Sequence, residues 1–262
     1  MFHPNIVLLF IDSYGIIHII MEGKKVLIVI PAHNEEKNIR KVIFDIRKNI
    51  KGMDILVIND GSTDRTEEVL IEENVPHINN IFNLGYAMSI QTGIKYAQQK
   101  NYDFVIQMDA DGQHLASEAG KLFNYAKEHT GIDITIGSRY IAKTGYKCPM
   151  MRKIGTKVFE FLIRVFCGKK IADPLSGFQC LNKKVINEYA NSDNYPEYPD
   201  ANLLMEMLYK GYKIHEVPVK MAKREYGESM HGGIIKPIKY MVHMFYAIII
   251  IFFQNLRRRP HE

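Results

Sequence analysis

Two apolar runs decide the fold: residues 25–31, KVLIVIP, and residues 54–59, DILVIN. Continuous runs of this kind are typical of strands that are covered on both faces in a parallel sheet. Between them, from Glu35 onward, apolar residues recur at helical spacing, while Pro31 ends the first run. The stretch therefore predicts a strand–helix–strand unit, the building block of an α/β fold.

The same alternation continues to about residue 140. It predicts further strands at residues 75–78, 103–107 and 132–137, and helices at residues 64–73, 86–99 and 117–128. Asp64 and Glu67 resemble a capping box at the first of these helices. The second half has predicted helices at residues 152–166, 183–189 and 202–210. This order predicts a mostly parallel sheet with helices on both faces, whose ligands bind at the carboxyl ends of the strands.

Two carboxylates and a carboxamide follow the predicted strand at 103–107: they are Asp109, Asp111 and Gln113. Oxygen ligands of this kind suit Mg²⁺ or Mn²⁺, which bind through one or two carboxylates and leave other positions for water and phosphate oxygens. Asp-x-Asp pairs also form turns and helix caps, so the pair alone leaves both interpretations open. Polar segments at 31–36 and 59–62 also follow strands, and we expect all three to meet in one crevice.

Other polar residues near strand ends are candidates for binding a nucleotide. Glu35 and Asp60 would accept hydrogen bonds from a base and ribose; the alternatives are a first-turn helix residue and a turn former. The cationic candidates for phosphates are Arg139, then Arg152, Lys153 and Arg224. Solvated surface residues are the alternative for each of these cations. The chain has no Gly-x-Gly-x-x-Gly or Walker motif, which argues against a dinucleotide enzyme or a P-loop NTPase.

The composition is that of a globular protein with a basic tail. The 262 residues are 47% hydrophobic and 24% charged, enough for one large domain or two small ones. The three cysteines have no Cys-x-x-Cys spacing, so neither a disulfide framework nor a zinc site is indicated. Residues 213–262 hold nine Lys or Arg against four Asp or Glu, which accounts for the formal charge of +5. We expect a membrane surface as the partner of this tail and no nucleic acid.

The tail contains residues 240–256, a 17-residue segment without Asp, Glu, Lys or Arg, followed by three arginines. About 17 residues is the lower limit for crossing a bilayer, and flanking cations also suit a helix that lies on anionic headgroups. We therefore predict membrane association, peripheral or through a single C-terminal span. The alternatives are a last helix packed on the domain, or one that joins a membrane-protein partner or a second copy.

These patterns divide the chain into three parts. Residues 1–24 form an N-terminal extension, residues 25–232 the main domain and residues 233–262 the hydrophobic and basic tail. Residues 6–20 are apolar, but Asp12 interrupts them and no Lys or Arg precedes them, so they make a poor signal peptide. A second hypothesis for this end is that translation starts at Met21.

Together, the strand-end motifs resemble those of the family 2 glycosyltransferases. The motifs are residues 29–36 (VIPAHNEE), 57–66 (VINDGSTDRT), 83–85 (NLG), 108–114 (MDADGQH), 173–178 (DPLSGF) and 224–229 (REYGES). Within the family the chain is most similar to the dolichyl- and polyprenyl-phosphate sugar synthases. The resemblance implies the GT-A fold for the main domain, a nucleotide-diphosphate sugar donor and a metal-dependent inverting transfer.

The resemblance also implies roles for individual residues. Those implied for the nucleoside are Pro31, Asn34, Glu35 and Asp60. Those implied for the metal and diphosphate are Asp109, Ala110, Asp111 and Gln113. The cations implied for the phosphates are Arg139, Arg224 and one of Arg152 and Lys153. A mobile acceptor loop would fall at residues 140–152, and the loop that carries Arg224 would close over the donor.

Three departures from the family pattern bear on the acceptor and the donor loop. Ala87 stands where the family often has a second glycine. The chain has no Trp and so lacks the Gln-x-x-Arg-Trp motif of the polymerising members, which argues against a processive polysaccharide synthase. Residues 198–200, YPD, stand where phosphate-acceptor synthases tend to have Gly-Tyr. This last departure leaves the acceptor open.

The expected catalytic groups are Asp111, Arg139, Arg224 and Asp200, and three functions compete. The first is sugar transfer to polyprenyl phosphate at the cytoplasmic membrane face; a phosphate monoester, with a second pKa of about 6, is already ionised enough to attack. The second is transfer to a saccharide hydroxyl, which would need a base such as Asp200, unless this residue is only the N-cap of the helix at 202–210. The third is a non-catalytic module that binds a nucleotide sugar and recruits a membrane partner.

Overall fold

The computed structural model of the protein describes residues 7–11, 17–21, 23–142, 150–224, 226 and 235–258. Strands and helices alternate along most of this length. In chain order the elements are β1 (Val7–Ile11), β2 (Ile17–Met21), β3 (Val26–Ala32), α1 (Ile39–Asn49), β4 (Asp54–Asp60), α2 (Thr66–Glu72), β5 (His77–Asn80), α3 (Tyr86–Gln99), β6 (Phe104–Gln107), α4 (Ala116–Glu128), β7 (Ile134–Ser138), α5 (Met150–Cys167), β8 (Gln179–Asn182), α6 (Lys183–Ala190), α7 (Ala201–Tyr209), β9 (Ile214–Pro218) and α8 (Ile235–Arg258).

Seven of these strands form one sheet in the order β5-β4-β3-β6-β8-β7-β9. Its pairings are parallel except those of β8, which runs antiparallel to both β6 and β7. The predicted mostly parallel sheet is confirmed. The carboxyl ends of the parallel strands lie along one edge, and the antiparallel β8 brings its first residues to that same edge.

Helices cover both faces of the sheet, as predicted. On β3, Leu27 and Val29 pack into the core that α3, α5, α6, α7 and α8 complete. The alternate residues Ile28 and Ile30 pack into a second core with α1, α2 and α4. Burial on both faces explains why this strand is apolar throughout instead of alternating between apolar and polar residues.

Several predicted boundaries are corrected. β3 continues past Pro31 to Ala32, because Pro31 is itself a strand residue opposite Ile58. α1 begins at Ile39 instead of near Glu35, because a turn precedes it in which the Glu35 carbonyl accepts the Asn38 and Ile39 amides.

The predicted capping box is also wrong in both of its bonds. Asp64 accepts the amide of Thr66 at 2.9 Å instead of that of Glu67, and the Glu67 carboxylate accepts Asn79 Nδ2 instead of reaching back to the cap. The third strand lies two residues later than predicted, at His77–Asn80. The strand begins later because the Val75 amide still donates to the Leu70 carbonyl at the end of α2, at 2.9 Å, and Pro76 has no amide to donate.

Four strands were not predicted from the pattern. β8 has only four residues of mixed polarity, and β9 is a partly exposed edge strand. β1 and β2 pair antiparallel with each other in a separate two-stranded sheet within the predicted N-terminal extension. The boundaries of the three predicted parts of the chain remain predictions.

The last helix, α8, packs on the domain through one narrow face. Tyr240, Met244 and Ile248, spaced four residues apart, are buried, and the neighbouring helices are α5 and α7. Within the described part of the chain, Ile238–Leu256 is the helical stretch that is long and apolar enough to cross a membrane, and 17% of it is buried. The helix thus combines packing on the domain, one of the alternatives, with a large apolar surface left open.

Candidate active site

The Asp109–Asp111 motif lies in a tight loop at the carboxyl end of β6. Gly112, at φ 76°, allows the turn, and the Asp111 Oδ1 atom accepts the Gln113 amide at 2.9 Å. Asp111 is buried, and its other oxygen, Oδ2, forms an ion pair with the Arg224 guanidinium. Two residues that are 113 positions apart in the chain, and that the motifs assigned to one site, are therefore in direct contact.

Asp109 has an unused carboxylate oxygen. Its Oδ1 atom is buried and has no hydrogen-bond donor. Its backbone amide donates to His114 Nδ1 at 3.0 Å, and the His114 ring stacks on Phe178 at 4.3 Å between centroids. No catalytic role was predicted for His114, and its ring holds the backbone at Asp109 in place. An orphaned buried carboxylate oxygen beside an ion-paired carboxylate is a donor set that fits a hard divalent cation.

The fit extends only to part of a coordination shell. The described residues contain no group of three or more His, Cys, Asp or Glu side chains that could hold a metal ion. The backbone carbonyl of Gln113 accepts the Ala222 amide at 2.9 Å. The metal ligation predicted for the Gln113 side chain is untested. Mg²⁺ and Mn²⁺ normally bind few protein carboxylates and complete their shell with water and substrate phosphates.

Glu35 joins the same group of charges. Burial raises the pKa of its carboxyl, an Asn38 hydrogen bond of 2.6 Å opposes this, and the negative charges of Asp111 and Asp109 raise it further while Arg224 lowers it. Glu35, from the loop after β3, is therefore close enough to the Asp109–Asp111 loop after β6 to feel its charges and that of Arg224. This cluster confirms that distant strand-end segments converge, whereas the nucleoside contact predicted for Glu35 is untested.

The loops after β3 and β4 are braced against each other by the predicted nucleoside residues. Asn34 adopts φ 56°, a left-handed conformation that asparagine tolerates, and its Oδ1 atom accepts the amides of Thr63 at 2.8 Å and Asp64 at 3.3 Å. Pro31, within β3, is buried. These contacts shape the donor end of the crevice, and direct contact with a nucleoside stays a prediction.

Asp60 holds the loop that leads into α3. Its buried carboxylate accepts Asn80 Nδ2 at 2.7 Å and the amides of Leu84 and Gly85 at 2.9 and 2.8 Å. The Asn-Leu-Gly motif is thereby held at the start of α3. The nearby departure Ala87 is buried in the first turn of α3, so the helix begins there without the second glycine of the family pattern.

Arg139 follows β7 and is paired with a carboxylate of the chain. Its Nε and an Nη atom donate to the two oxygens of Asp173 at 2.7 and 2.6 Å, and both residues are buried. Glu216 in turn accepts the Ala172 and Asp173 amides at 2.7 and 2.8 Å. The structure therefore shows a buried bidentate ion pair at Arg139, and the phosphate contact predicted for this residue stays a prediction.

Asp200 stands at the start of α7, but its side chain does not cap that helix. Its Oδ2 atom accepts the Tyr240 hydroxyl at 2.6 Å. The N-cap alternative is therefore wrong for the carboxylate.

Tyr86 lies near both the Asp200 carboxylate and the Asp109–Asp111 motif. Burial raises the pKa of the Tyr86 hydroxyl well above its ordinary value, and the negative charges of Asp109 and Asp200 raise it further. A Cβ atom at Gly177 would lie 2.7 Å from that hydroxyl, so the glycine of the DPLSGF motif makes room for it. The predicted base and the predicted metal ligand thus share a tyrosine neighbour.

The other predicted residues are less informative. Ala110 is buried, and Lys153 is exposed on α5. The Arg152 side chain, most of the predicted acceptor loop and most of the loop after Arg224 lie outside the described residues.

Four residues of the site region were missed: Tyr86, Asp173, Glu216 and Tyr240. The motifs at 83–85 and 173–178 pointed to the neighbourhood of two of them, whereas Glu216 and Tyr240 carry no local signal.

A parallel sheet with an Asp-x-Asp loop at its carboxyl edge defines the GT-A class of nucleotide-diphospho-sugar transferases. The family model described as glycosyl transferase family 2 matches residues 27–190, more than half of the chain. The chain belongs to glycosyl transferase family 2 and is a glycosyltransferase.

Curated relatives agree with this assignment. The chain is 33% identical to dolichol-phosphate mannosyltransferase of Pyrococcus furiosus over 235 residues, 84% of this chain and 63% of that protein. It is 27% identical to the UDP-N-acetylglucosamine–dolichyl-phosphate N-acetylglucosaminyltransferase of Methanococcus voltae, over 88% of this chain and 97% of that protein.

The fold is similar to that of glucosyl-3-phosphoglycerate synthase from Mycobacterium tuberculosis, crystallised with Mn²⁺, uridine diphosphate and glucosyl-3-phosphoglycerate. The TM-score is 0.59 at 15% identity, covering 88% of this chain and 80% of that chain. This likeness concerns the fold alone.

Proposed function

We propose that the protein transfers a sugar from a nucleotide-diphosphate donor to polyprenyl phosphate, with inversion and with Mg²⁺ or Mn²⁺, at the cytoplasmic face of a membrane. The observation that carries the proposal is the ion pair of Asp111 with Arg224 at the carboxyl edge of the sheet, in the same loop as the unused buried oxygen of Asp109. The relatives named for dolichyl phosphate support the acceptor class.

The leaving nucleoside diphosphate must be stabilised as an anion, since the sugar carbon gains positive charge as the bond breaks. Asp109 and Asp111 would hold the metal, with Gln113 as a third candidate, and the bound ion would supply Lewis-acid stabilisation of the phosphate oxygens. Arg224, which pairs with Asp111, would add its positive charge to the stabilisation of the leaving diphosphate. Asn34 and Asp60 hold the loops that would border the nucleoside.

Two neighbouring helices support the membrane location. α5 exposes Ile154, Val158, Phe161 and Val165 along one stripe, with Phe161 63% exposed. α8 exposes a further apolar set that includes Phe245 and Phe253. Basic residues border both stripes, among them Lys153 on α5 and Lys239 on α8. Apolar side chains flanked by cations suit an anionic membrane surface, where a lipid-linked acceptor is found.

A second candidate is transfer to a saccharide hydroxyl, and one observation favours it. The Asp200 carboxylate does not cap α7, and it shares the neighbour Tyr86 with Asp109. A hydroxyl acceptor needs a base at such a place, whereas a lipid phosphate would attack without one.

The test is an assay of membranes that contain the full chain, incubated with radiolabelled nucleotide sugars and Mn²⁺. Label in a mild-acid-labile lipid fraction supports polyprenyl phosphate as the acceptor, and label in an acid-stable glycan supports the second candidate. Asp109→Asn with Asp111→Asn should abolish either product and weaken Mn²⁺-dependent donor binding in calorimetry. Asp54→Asn, at the opposite edge of the sheet where it accepts the Tyr102 hydroxyl, is the matched control.

Donor hydrolysis separates both candidates from a non-catalytic module. An enzyme should hydrolyse the donor slowly and in a metal-dependent way when no acceptor is present. Tight donor binding without hydrolysis, and without transfer to any lipid or glycan, would contradict the proposed function.

A further inference from the structure

The start of α8 contacts the acceptor side of the site through a tyrosine. The Tyr240 hydroxyl donates a 2.6 Å hydrogen bond to Asp200 Oδ2, and Tyr240 is 7% exposed. The Tyr240 ring contacts the Tyr198 ring edge-on, with 5.1 Å between the centroids. The His243 ring also contacts the Tyr198 ring, at 5.3 Å. The segment that carries Asp200 is therefore held by the helix that also exposes the apolar surface.

The orientation of Asp200 is set by tertiary contacts and not by its own helix. An N-cap carboxylate usually accepts an amide of the first helical turn. Asp200 makes no such bond, and its own amide donates to Asn202 Oδ1 at 3.1 Å.

We propose that Tyr240 is a positioning residue for Asp200, so that α8 sets the group that meets the acceptor. The inference rests on the proposed function, since it concerns the same site. A hydrogen bond to a charged oxygen is about twice as strong as one between neutral groups, so it holds the carboxylate in one orientation. It also offsets part of the negative charge that an anionic acceptor would face.

Tyr240→Phe removes the hydroxyl and keeps the ring in its packing. We expect kcat/KM for the acceptor to fall about tenfold, the usual scale for losing a hydrogen bond to a charged group. The donor KM and acceptor-independent donor hydrolysis should stay unchanged. With a phosphate acceptor the loss should appear in KM, because an uncompensated carboxylate repels it; with a hydroxyl acceptor it should appear in kcat, because the base is misplaced.

A double-mutant cycle tests whether Tyr240 acts through Asp200. In an Asp200→Asn background, Tyr240→Phe should have no further effect on acceptor kinetics, because residues that act as one unit are not additive. Tyr209→Phe is the matched control: this tyrosine is at the other end of α7, and its hydroxyl donates to the Phe166 carbonyl at 3.2 Å. It should leave the acceptor kinetics unchanged.

Several results would overturn the inference. One is that Tyr240→Phe leaves the acceptor kinetics unchanged. Another is that the loss of kcat/KM in the double variant is the product of the losses in the two single variants. The third is that Tyr240→Phe lowers Mn²⁺-dependent donor affinity, measured by calorimetry, as much as it lowers kcat/KM for the acceptor. Failure of the proposed function gives a different result: the wild-type chain binds the donor but transfers sugar to neither a polyprenyl phosphate nor a glycan. That result removes the inference as well.

Discussion

The proposed donor half and the proposed acceptor half of the crevice are held together in different ways. In the donor half, Asn34 follows β3 and Asp60 ends β4, and both accept backbone amides of adjacent loops. In the acceptor half, Arg139 and Asp200 bond to side chains from distant parts of the chain, Asp173 and Tyr240. The braces in the donor half are each made of several hydrogen bonds.

The difference has an energetic consequence. Each hydrogen bond of a brace contributes about 0.5–1.5 kcal/mol, whereas a buried ion pair leaves an uncompensated charge when either partner is removed. We therefore expect substitutions in the acceptor half to be costly for folding, and those in the donor half to act mainly on the shape of the crevice.

Arg139→Ala should give the largest effect on stability. It leaves the buried Asp173 carboxylate without its bidentate partner, and removing one member of such a pair costs about 3–5 kcal/mol. Urea unfolding followed by circular dichroism measures the loss. Arg40→Ala is the control, since Arg40 pairs with Glu72 and Glu73 while its side chain is 51% exposed, and such pairs contribute about 0–1 kcal/mol. Equal losses of unfolding free energy in Arg139→Ala and Arg40→Ala would contradict the high cost expected for substitutions in the acceptor half.

Gly177→Ala should have the next effect, because the new Cβ atom would stand 2.7 Å from the Tyr86 hydroxyl. Overpacking of this kind costs about 1–3 kcal/mol, and displacement of Tyr86 should lower sugar transfer together with it. The measurements are the unfolding midpoint and the transfer rate. Gly120→Ala on α4, where the Cβ would meet nothing within 4 Å, should be neutral or slightly stabilising. A neutral Gly177→Ala would show that Tyr86 need not occupy its position.

Asn34→Gly tests the donor half. It keeps the left-handed backbone but removes the bonds to the Thr63 and Asp64 amides, at a cost of about 1 kcal/mol. Asn34→Ala should cost about 1 kcal/mol more, because alanine is strained at φ 56°. Both variants should weaken donor binding, measured by calorimetry. Asn49→Ala, at the exposed end of α1, should change neither quantity. If Asn34→Ala weakens donor binding and Asn34→Gly does not, the effect comes from backbone strain and not from the lost hydrogen bonds.

The smallest effect is a pH dependence of opposite sign in two carboxyls. Burial raises the pKa of Asp64, but hydrogen bonds from Thr66 and the Glu36 amide outweigh it and lower the pKa below 3.8. Its stabilisation is therefore present above pH 3.8 and is lost as the pH falls through the lowered value. Burial raises the pKa of Glu216 above 4.5, so its contribution is full below pH 4.5 and declines as the pH rises through the raised value.

Unfolding free energies of Asp64→Asn and Glu216→Gln between pH 3 and pH 7 measure these dependences. The difference between wild type and Asp64→Asn should shrink toward acid pH. The difference for Glu216→Gln should change in the opposite direction. Parallel curves for the two variants would contradict the two assignments.

The donor half was largely predictable from sequence because its signals are local. The bounds of α3, Tyr86–Gln99, were predicted correctly, and the Asp109–Asp111 loop lies at a strand end as expected. Apolar runs and the residues that follow them are enough for such inferences.

The acceptor half was less predictable because its contacts join distant segments. No local pattern pairs Arg139 with Asp173 or Asp200 with Tyr240, residues 34 and 40 positions apart. β8 escaped prediction because a four-residue strand of mixed polarity depends on its neighbours for its conformation. The carboxylate partner of Arg139 was therefore not predicted, and the phosphate contact that was predicted for this residue stays a prediction.

The antiparallel strand of the seven-stranded sheet, β8, has a practical consequence for engineering this enzyme. Because β8 enters at the ligand edge, its exit at Asn182 lies at the opposite edge, together with the turns at Gly52 and Asn101. A reporter domain or new chain termini introduced at Gly52, where the backbone is exposed, would sit a full strand length from the carboxylates. Fluorescent sensors of nucleotide-sugar binding should therefore be built from that side.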